Sequence, residues 1–258
     1  MTDTPRPQRH NLKGILAASI ILSSWAGCLV ILLTAVSPAL NWWVVAAVLV
    51  QTFLYTGLFI TAHDAMHRTL APDFPRLNRF LGALAVGCYA LFSFAKLRKS
   101  HWEHHRHPAS ADDPDYHDGT HSDVLSWYWR FMRNYVSVPQ LVGMAVAFNV
   151  LHMLAGIPVA NLIVFWVVPS LLSTVQLFYF GTVLPHRRPA EGYDDEHRAT
   201  TNDFSAPISF LTCYHFGYHW EHHQRPDLPW WSLPRYRKQR MKAKSGGTSQ
   251  NDNHIDHY

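Results

Sequence analysis

Two long stretches without a charged side chain limit most strongly what this chain can fold into. Residues 14–62 and residues 134–186 contain no Asp, Glu, Lys or Arg. A helix needs about 20 predominantly apolar residues to cross the hydrocarbon core of a bilayer. Each stretch is therefore long enough for two spanning helices and a turn, and the sequence predicts an all-α integral membrane protein with four transmembrane helices in two hairpins.

Local signals place the turns within these stretches. Pro38 and Asn41 favour a turn in the first stretch, and Gly156 and Pro158 favour one in the second. The uncharged segment 80–95 is short for a span, so we expect an interfacial or re-entrant helix there. The four predicted spans are residues 14–36, 42–62, 138–155 and 160–184.

The distribution of basic residues predicts the orientation of the chain. The two predicted turns, residues 37–41 and 156–161, carry no charge, whereas every Lys and Arg lies on the other side of the spans. Loops rich in Lys and Arg stay in the cytoplasm, so we expect both termini there. The predicted organisation is a cytosolic arm at residues 1–13, a single membrane domain at residues 14–244 and a disordered tail at residues 245–258.

Composition excludes several classes of protein. Three cysteines lie far apart and form no C-x-x-C pair, which argues against a zinc ribbon or a disulfide framework. The net charge of +4 is modest and adjoins the spans, so nucleic-acid binding is not predicted. Two basic runs, residues 96–99 and 235–240, could contact anionic lipid or an acidic electron carrier. For either run alone, a lipid surface is the simpler interpretation.

Histidines recur in three clusters at helical spacing. Residues three or four positions apart share a helix face. A single further histidine, His186, directly follows the last predicted span. The predicted topology places all of these histidines on the cytoplasmic side. The candidate ligands are His63, His67, His101, His104, His105, His186, His219, His222 and His223.

Nine histidines are too many for one zinc ion, which takes four protein ligands or three and a water. Two adjacent metal ions fit the number better. Imidazole suits iron, copper, zinc and nickel, so the ligand type alone leaves the metal open, although two redox-active irons would provide a place to bind and split dioxygen. His215, one turn before His219, stays outside the predicted set. His152, alone on an apolar span, is expected to pack between helices.

Each ligand also needs a partner for its second ring nitrogen. Asp64 lies between His63 and His67 and is the favoured orienting residue. Glu103, Asp113, Asp115 and Glu221 are further candidates by proximity in sequence, although a solvated charge is the expectation for each of them taken alone.

Longer phrases around these histidines carry a resemblance to a known family. The pattern H-x3-H, H-x2-H-H, H-x2-H-H among four spans resembles the integral-membrane fatty acid desaturase/hydroxylase superfamily. Within that superfamily, residues 50–240 are similar to the bacterial β-carotene ketolases. The phrases that carry the similarity are LFITAHDAMH at 58–67, HHRHPAS at 104–110, FYFGTVLPH at 178–186, CYHFGYHWEHH at 213–223 and PWWSLP at 229–234.

The resemblance implies a non-haem di-iron oxygenase whose two irons are held by the nine candidate histidines. It implies two successive O2-dependent hydroxylations at C4 of a β-ionone ring, followed by loss of water to give the ketone. The implied substrate is a carotenoid drawn from the bilayer, the implied electron donor is of the ferredoxin type, and the implied location is a bacterial inner membrane.

Other functions stay open at this point. A fatty acid desaturase, a fatty acid hydroxylase or a carotenoid 3-hydroxylase would share the histidine pattern. A histidine-rich metal transporter or sensor is the non-enzymatic alternative. Such a protein should carry ionisable residues along its spans, and the predicted spans contain only His152.

Overall fold

The architecture is helical throughout the part of the chain that the computed structural model describes, which is residues 11–248, with side chains for residues 11–243. The helices are α1 (Asn11–Ala35), α2 (Trp42–Met66), α3 (Pro75–Ala90), α4 (Phe94–Arg106), α5 (Val124–Tyr135), α6 (Val138–Met153), α7 (Val159–His186), α8 (Ala206–Cys213), α9 (His219–Gln224) and α10 (Leu233–Thr248). A short 3-10 turn, Trp230–Ser232, precedes α10.

Three of these helices are long and apolar enough to cross a membrane, namely α1, α2 and α7. Two bent pairs pass the same test only together: α3 with α4, which meet at 100°, and α5 with α6, which meet at 85°. The structure thus offers three to five spans, and the predicted four lie within this range. Helix α6 has 16 residues, which is about 24 Å at 1.5 Å per residue, so it is shorter than the predicted third span.

The boundaries differ from prediction at both ends of the chain. Helix α1 already begins at Asn11, inside the predicted arm, and residues 1–10 lie outside the described part. Helix α10 continues through the first residues of the predicted tail to Thr248. Residues 249–258 lie outside the described part, so the predicted disorder there stays a prediction.

Polar contacts inside the apolar bundle fix how α7 sits against its neighbours. The Asn161 amide donates to three carbonyl oxygens at the end of α1, those of Leu32 (3.2 Å), Leu33 (3.2 Å) and Val36 (2.8 Å). These carbonyls have no partner within their own helix, because the last turn of any helix leaves its acceptors free. The start of α7 is therefore held to the end of α1.

A second buried contact fixes the middle of α7. The Thr56 hydroxyl on α2 donates to the side-chain oxygen Oε1 of Gln176 at 2.7 Å. The side-chain amide nitrogen of Gln176 donates to the backbone carbonyl oxygen of Thr212 on α8 at 2.6 Å. Further along, Tyr179–Val183 forms a π-helical turn. Such a turn adds one residue and changes the direction of the side chains that follow, and His186 lies directly after it.

Candidate metal centre

The predicted histidines converge at one end of the bundle, where α2, α4, α7 and α9 meet. Eight of them form two sets of four whose ligand atoms lie within 4.8 Å of one another. The first histidine group consists of His63, His67, His101 and His222. The second histidine group consists of His104, His186, His219 and His223.

The ninth predicted histidine adjoins the first group. His105 Nε2 lies 3.1 Å from His101 Nε2 and 3.0 Å from His222 Nε2. All nine candidates are thus brought together, and His215 lies apart from both groups, with its ring stacked on Tyr218. His152 Nδ1 donates to the Ile157 carbonyl oxygen at 2.9 Å, and this residue takes no part in the centre.

The H-x2-H-H spacing explains how short helices can serve both groups. Successive side chains on a helix point about 100° apart, so an adjacent pair of histidines faces two directions. Helix α4 therefore gives His101 and His105 to the first group and His104 to the second. Helix α9 likewise gives His222 to the first group and His219 and His223 to the second.

The nine histidines fit metal ions because their ring nitrogens point toward one another and no other protein group lies between them. His67 Nε2 and His101 Nε2 are 2.6 Å apart, and His104 Nε2 and His223 Nε2 are 3.1 Å apart. His63 Nε2 and His186 Nε2 are buried without a hydrogen bond. Buried polar atoms are nearly always satisfied, so this convergence is the arrangement expected around bound cations.

Burial also favours the protonation state that metals need. It lowers the pKa of His219, His222 and His223 well below the usual value, because a charged imidazolium is poorly solvated there. These imidazoles are neutral, and a neutral imidazole has a free lone pair for a metal.

Asp113 is a candidate orienting residue for which the sequence favoured a solvated charge. Both of its carboxylate oxygens lie 3.0 Å from His104 Nδ1, and the carboxylate also accepts from the backbone N–H groups of Ala109 and Asp115 at 2.8 Å. The expectation of a solvated charge is wrong for Asp113, which is 1% exposed. It fixes the proton on Nδ1 and leaves Nε2 of His104 free to face the second group.

His186 is oriented in a similar way, by a backbone carbonyl. Its Nδ1 donates to the Arg198 carbonyl oxygen at 2.9 Å. Asp64, the favoured orienting residue, lies 3.8 Å from His63 Nδ1, which is too long for a hydrogen bond. Its carboxylate instead accepts from the Trp230 N–H at 3.3 Å, and an orienting role for Asp64 stays a prediction.

Glu221, which lies between the ligands of α9, also differs from expectation. Its side chain is fully buried, forms a 2.7 Å ion pair with Arg240 of α10 and accepts a hydrogen bond from the Thr201 hydroxyl. Glu103 does lie at the surface, where it pairs with Arg106 at 3.0 Å. The C-terminal helix is thus attached to a ligand-bearing helix through a buried charge.

An apolar cavity adjoins both histidine groups. His101, His104 and His219 form one wall, and aromatic and aliphatic side chains such as Phe131 and Leu177 form much of the rest. Asp115 and Tyr135, joined by a short hydrogen bond, add a polar pair to this inner cavity.

A second, outer cavity lies next to the inner one. The two share the side chains of Tyr89, Phe92, Met132 and Thr174 in their walls, and the outer cavity extends between α3, α6 and α7. Its wall includes Leu141, which is 58% exposed on the apolar surface of α6. Two neighbouring apolar cavities therefore lie between the exposed apolar surface of α6 and the histidines.

Comparison with known proteins gives a consistent result. A fatty acid desaturase family model matches residues 40–143 and 118–251. A zeaxanthin 4-ketolase from Chlamydomonas reinhardtii is 42% identical over 247 residues, which cover 90% of this chain and 55% of that protein. A beta-carotene ketolase from Haematococcus lacustris is 46% identical over 201 residues, covering 76% of this chain and 62% of the relative.

A shorter relative is covered more completely. A beta-carotene ketolase from Paracoccus sp. (strain N81106 / MBIC 01143) is 44% identical over 184 residues, which cover 71% of this chain and 74% of the relative. By contrast, the chain spans between 55% and 65% of the length of the first four curated relatives.

Proposed function

Because the chain belongs to the fatty acid desaturase family and matches β-carotene ketolases over most of its length, we propose that it is a β-carotene 4-ketolase. The observation that carries the proposal is the apolar cavity beside both histidine groups, with a second apolar cavity next to it that reaches exposed apolar residues of α6. Such an apolar lining suits a carotenoid, which dissolves only in the bilayer.

The proposed cofactor is a pair of irons, one in each histidine group, with His105 completing the first group. Two irons supply the redox chemistry that activates O2 for insertion into a C–H bond. Nitrogen ligands that are all neutral leave the positive charge on the metals, which favours binding of reduced oxygen species. The ligand set is the nine histidines given above.

The proposed task of the inner cavity is to hold one β-ionone ring against the histidines and to exclude water. Phe216 forms part of its wall, with its ring centroid 4.8 Å from that of His63 and 5.0 Å from that of His219. Gly181 makes this position possible, because a Cβ there would overlap the Phe216 ring. The polyene would lie in the outer cavity.

The proposed reaction is two hydroxylations at the same carbon. Each consumes O2, two electrons and two protons, converts C4–H to C4–OH and releases one water. The resulting gem-diol loses water to give the ketone. The Asp115–Tyr135 pair is the polar part of the cavity wall that could accept a hydrogen bond from the first hydroxyl group, and this contact would hold C4 in place for the second step.

We propose a ferredoxin-type protein as the electron donor, and a bacterial inner membrane as the location, with both termini and the metal centre facing the cytoplasm. The support for this orientation is the positive-inside pattern. The basic run at residues 96–99 directly precedes His101 in α4, on the side proposed for the donor.

The test is expression in a bacterium that accumulates β-carotene, followed by analysis of its pigments. We expect echinenone and canthaxanthin, and astaxanthin when zeaxanthin is supplied. Zeaxanthin formed from β-carotene would instead identify a 3-hydroxylase. Altered lipid chains with unchanged carotenoid would identify a fatty acid desaturase or hydroxylase. Bound metal without any conversion would favour the metal-binding membrane protein.

The matched control is His63→Ala against His152→Ala. Both change one histidine on an apolar helix, but only His63 belongs to a histidine group. We expect His63→Ala to abolish conversion and lower the iron content, while His152→Ala retains both. Conversion by His63→Ala at the rate of the unmodified protein would refute its role as a ligand.

A further inference from the structure

A basic cleft lies on the surface beside the first histidine group. It is lined by Arg79 of α3 and by Arg98, Lys99 and Arg106 of α4, with Trp102 between them. None of the described residues that line the cleft is acidic. Glu103 pairs with Arg106 at 3.0 Å and offsets one of the four positive charges, so the cleft keeps a strong positive potential.

Trp102 connects this cleft to the metal centre. Its ring centroid lies 5.0 Å from that of His67 and 5.7 Å from that of His105. Both histidines are proposed ligands. A single aromatic ring therefore separates the floor of the cleft from the first histidine group.

The other basic run of the chain has a different role. Arg237 pairs with Asp203 at 2.6 Å and stacks over Tyr218, and Arg240 pairs with Glu221. These charges hold α10 to the rest of the protein. Of the two basic runs in the sequence, the one at residues 96–99 contributes Arg98 and Lys99 to the open cleft beside the metal centre.

We propose that the basic cleft is the docking site of an acidic one-electron carrier protein, and that Trp102 lies on the electron's path to the first histidine group. This inference rests on the proposed function, because each hydroxylation needs two electrons that the substrate does not supply. Each docking event would transfer one electron from the carrier to the protein. Two such electrons, two protons, one O2 and one C–H bond of the substrate would give one C–OH group and one water.

Charge and surface shape favour a protein carrier at this cleft. Complementary charge raises the rate of encounter with an acidic partner, and redox partners dock through small, weak interfaces. An anionic lipid surface would also use the basic residues. It would not require an aromatic side chain in contact with two metal-ligand candidates, and that contact decides between the two occupants.

The experiment uses the iron-loaded protein in nanodiscs of phosphatidylcholine and a plant-type [2Fe–2S] ferredoxin as the probe. The variant is Arg79→Glu/Lys99→Glu, at two exposed positions on the cleft rim. The matched control is Arg235→Glu/Lys238→Glu, which makes the same change in charge at exposed positions of α10. Ferredoxin affinity at low ionic strength and stopped-flow oxidation of reduced ferredoxin are measured for both.

We expect the cleft variant to bind ferredoxin at least about tenfold more weakly and to lose most of the salt dependence of the rate. The control should keep both. Single turnover of β-carotene after photoreduction by deazaflavin should be equal in all three proteins, because that reductant bypasses the docking site.

Equal affinity and rate in the cleft variant, or equal weakening in the control, would overturn the proposal. A third result would also overturn it. If the cleft variant binds ferredoxin as the unmodified protein does, but its activity no longer changes when phosphatidylglycerol is added to the nanodisc, the cleft is a lipid-binding site. If the unmodified protein does not oxidise β-carotene after photoreduction, the proposed function fails, while the binding measurements still decide the docking site.

Discussion

The ion pair between Glu221 and Arg240 offers the most direct test of how the C-terminal helix supports the metal centre. Glu221 is fully buried between the candidate ligands His219 and His222, and its carboxylate lies 2.7 Å from Arg240, whose side chain is 20% exposed. The substitution Arg240→Met keeps most of the side-chain length and removes the charge. It leaves Glu221 as a buried carboxylate with only the Thr201 hydroxyl as partner.

Removal of one partner of a buried ion pair costs about 3–5 kcal/mol. The lower end applies here, because Arg240 is partly reached by water and because the ion pair is not aligned as a hydrogen bond. We therefore expect a loss of about 3 kcal/mol in the free energy of unfolding. For a chain of this size that loss lowers the Tm by roughly 6–12 °C.

The assay is thermal unfolding of the detergent-purified protein together with its iron content. The double variant Glu221→Gln/Arg240→Met should recover most of the lost stability, since a neutral Gln can still accept from Thr201. Arg225→Met is the matched control, because the side chains of Arg225 and its ion-pair partner Asp227 are 42% and 47% exposed and such surface pairs contribute about 0–1 kcal/mol. If Arg240→Met and Arg225→Met shift the Tm equally, the reasoning from burial is wrong.

Three further predictions follow from the centre and its cavity. Asp113→Asn should lower metal affinity by about 10–100-fold, because His104 loses its charged orienting partner; unchanged affinity in a metal titration would contradict this role. Gly181→Ala should push Phe216 out of place and cost about 1–3 kcal/mol, with pigment conversion falling more than expression; full conversion would show that the cavity wall adapts. Removal of metal by a chelator should lower the Tm, because a ligand that binds only the folded state stabilises it by about 2.7 kcal/mol when its free concentration is 100 times its Kd. Equal Tm values with and without metal, measured by calorimetry, would argue against metal binding in the histidine groups.

The parts of the fold that were predicted correctly depend on short-range physics. The absence of charge in residues 14–62 predicts α1 and α2, because unpaired charges are costly in a bilayer. The helix that carries His63 does continue to Met66, and His67 ends it. The two H-x2-H-H motifs do lie on helices, and helix geometry alone determines the relative directions of the side chains within each motif. The family resemblance is confirmed by the match to fatty acid desaturases and to β-carotene ketolases.

The parts that were missed depend on contacts between distant segments. Asp113 lies in a loop with several other aspartates, and only the folded course of the loop distinguishes it from the exposed Asp112 and Asp118. Glu221 appears solvated in the sequence because its partner Arg240 lies in another helix. The bends between α3 and α4 and between α5 and α6 are likewise set by packing, so the predicted third span proved shorter and bent against its neighbour.

The division of α4 and α9 between the two histidine groups has a consequence for how the centre is built. A rotation of α4 that moves His101 away from the first group also moves His104 away from the second, because both side chains are fixed to the same backbone. The same constraint applies to His222 and His223 on α9. A metal bound in one group therefore holds both helices in the orientation that the other group needs, and less ordering remains for the second metal to impose. This coupling favours filling of the two groups together.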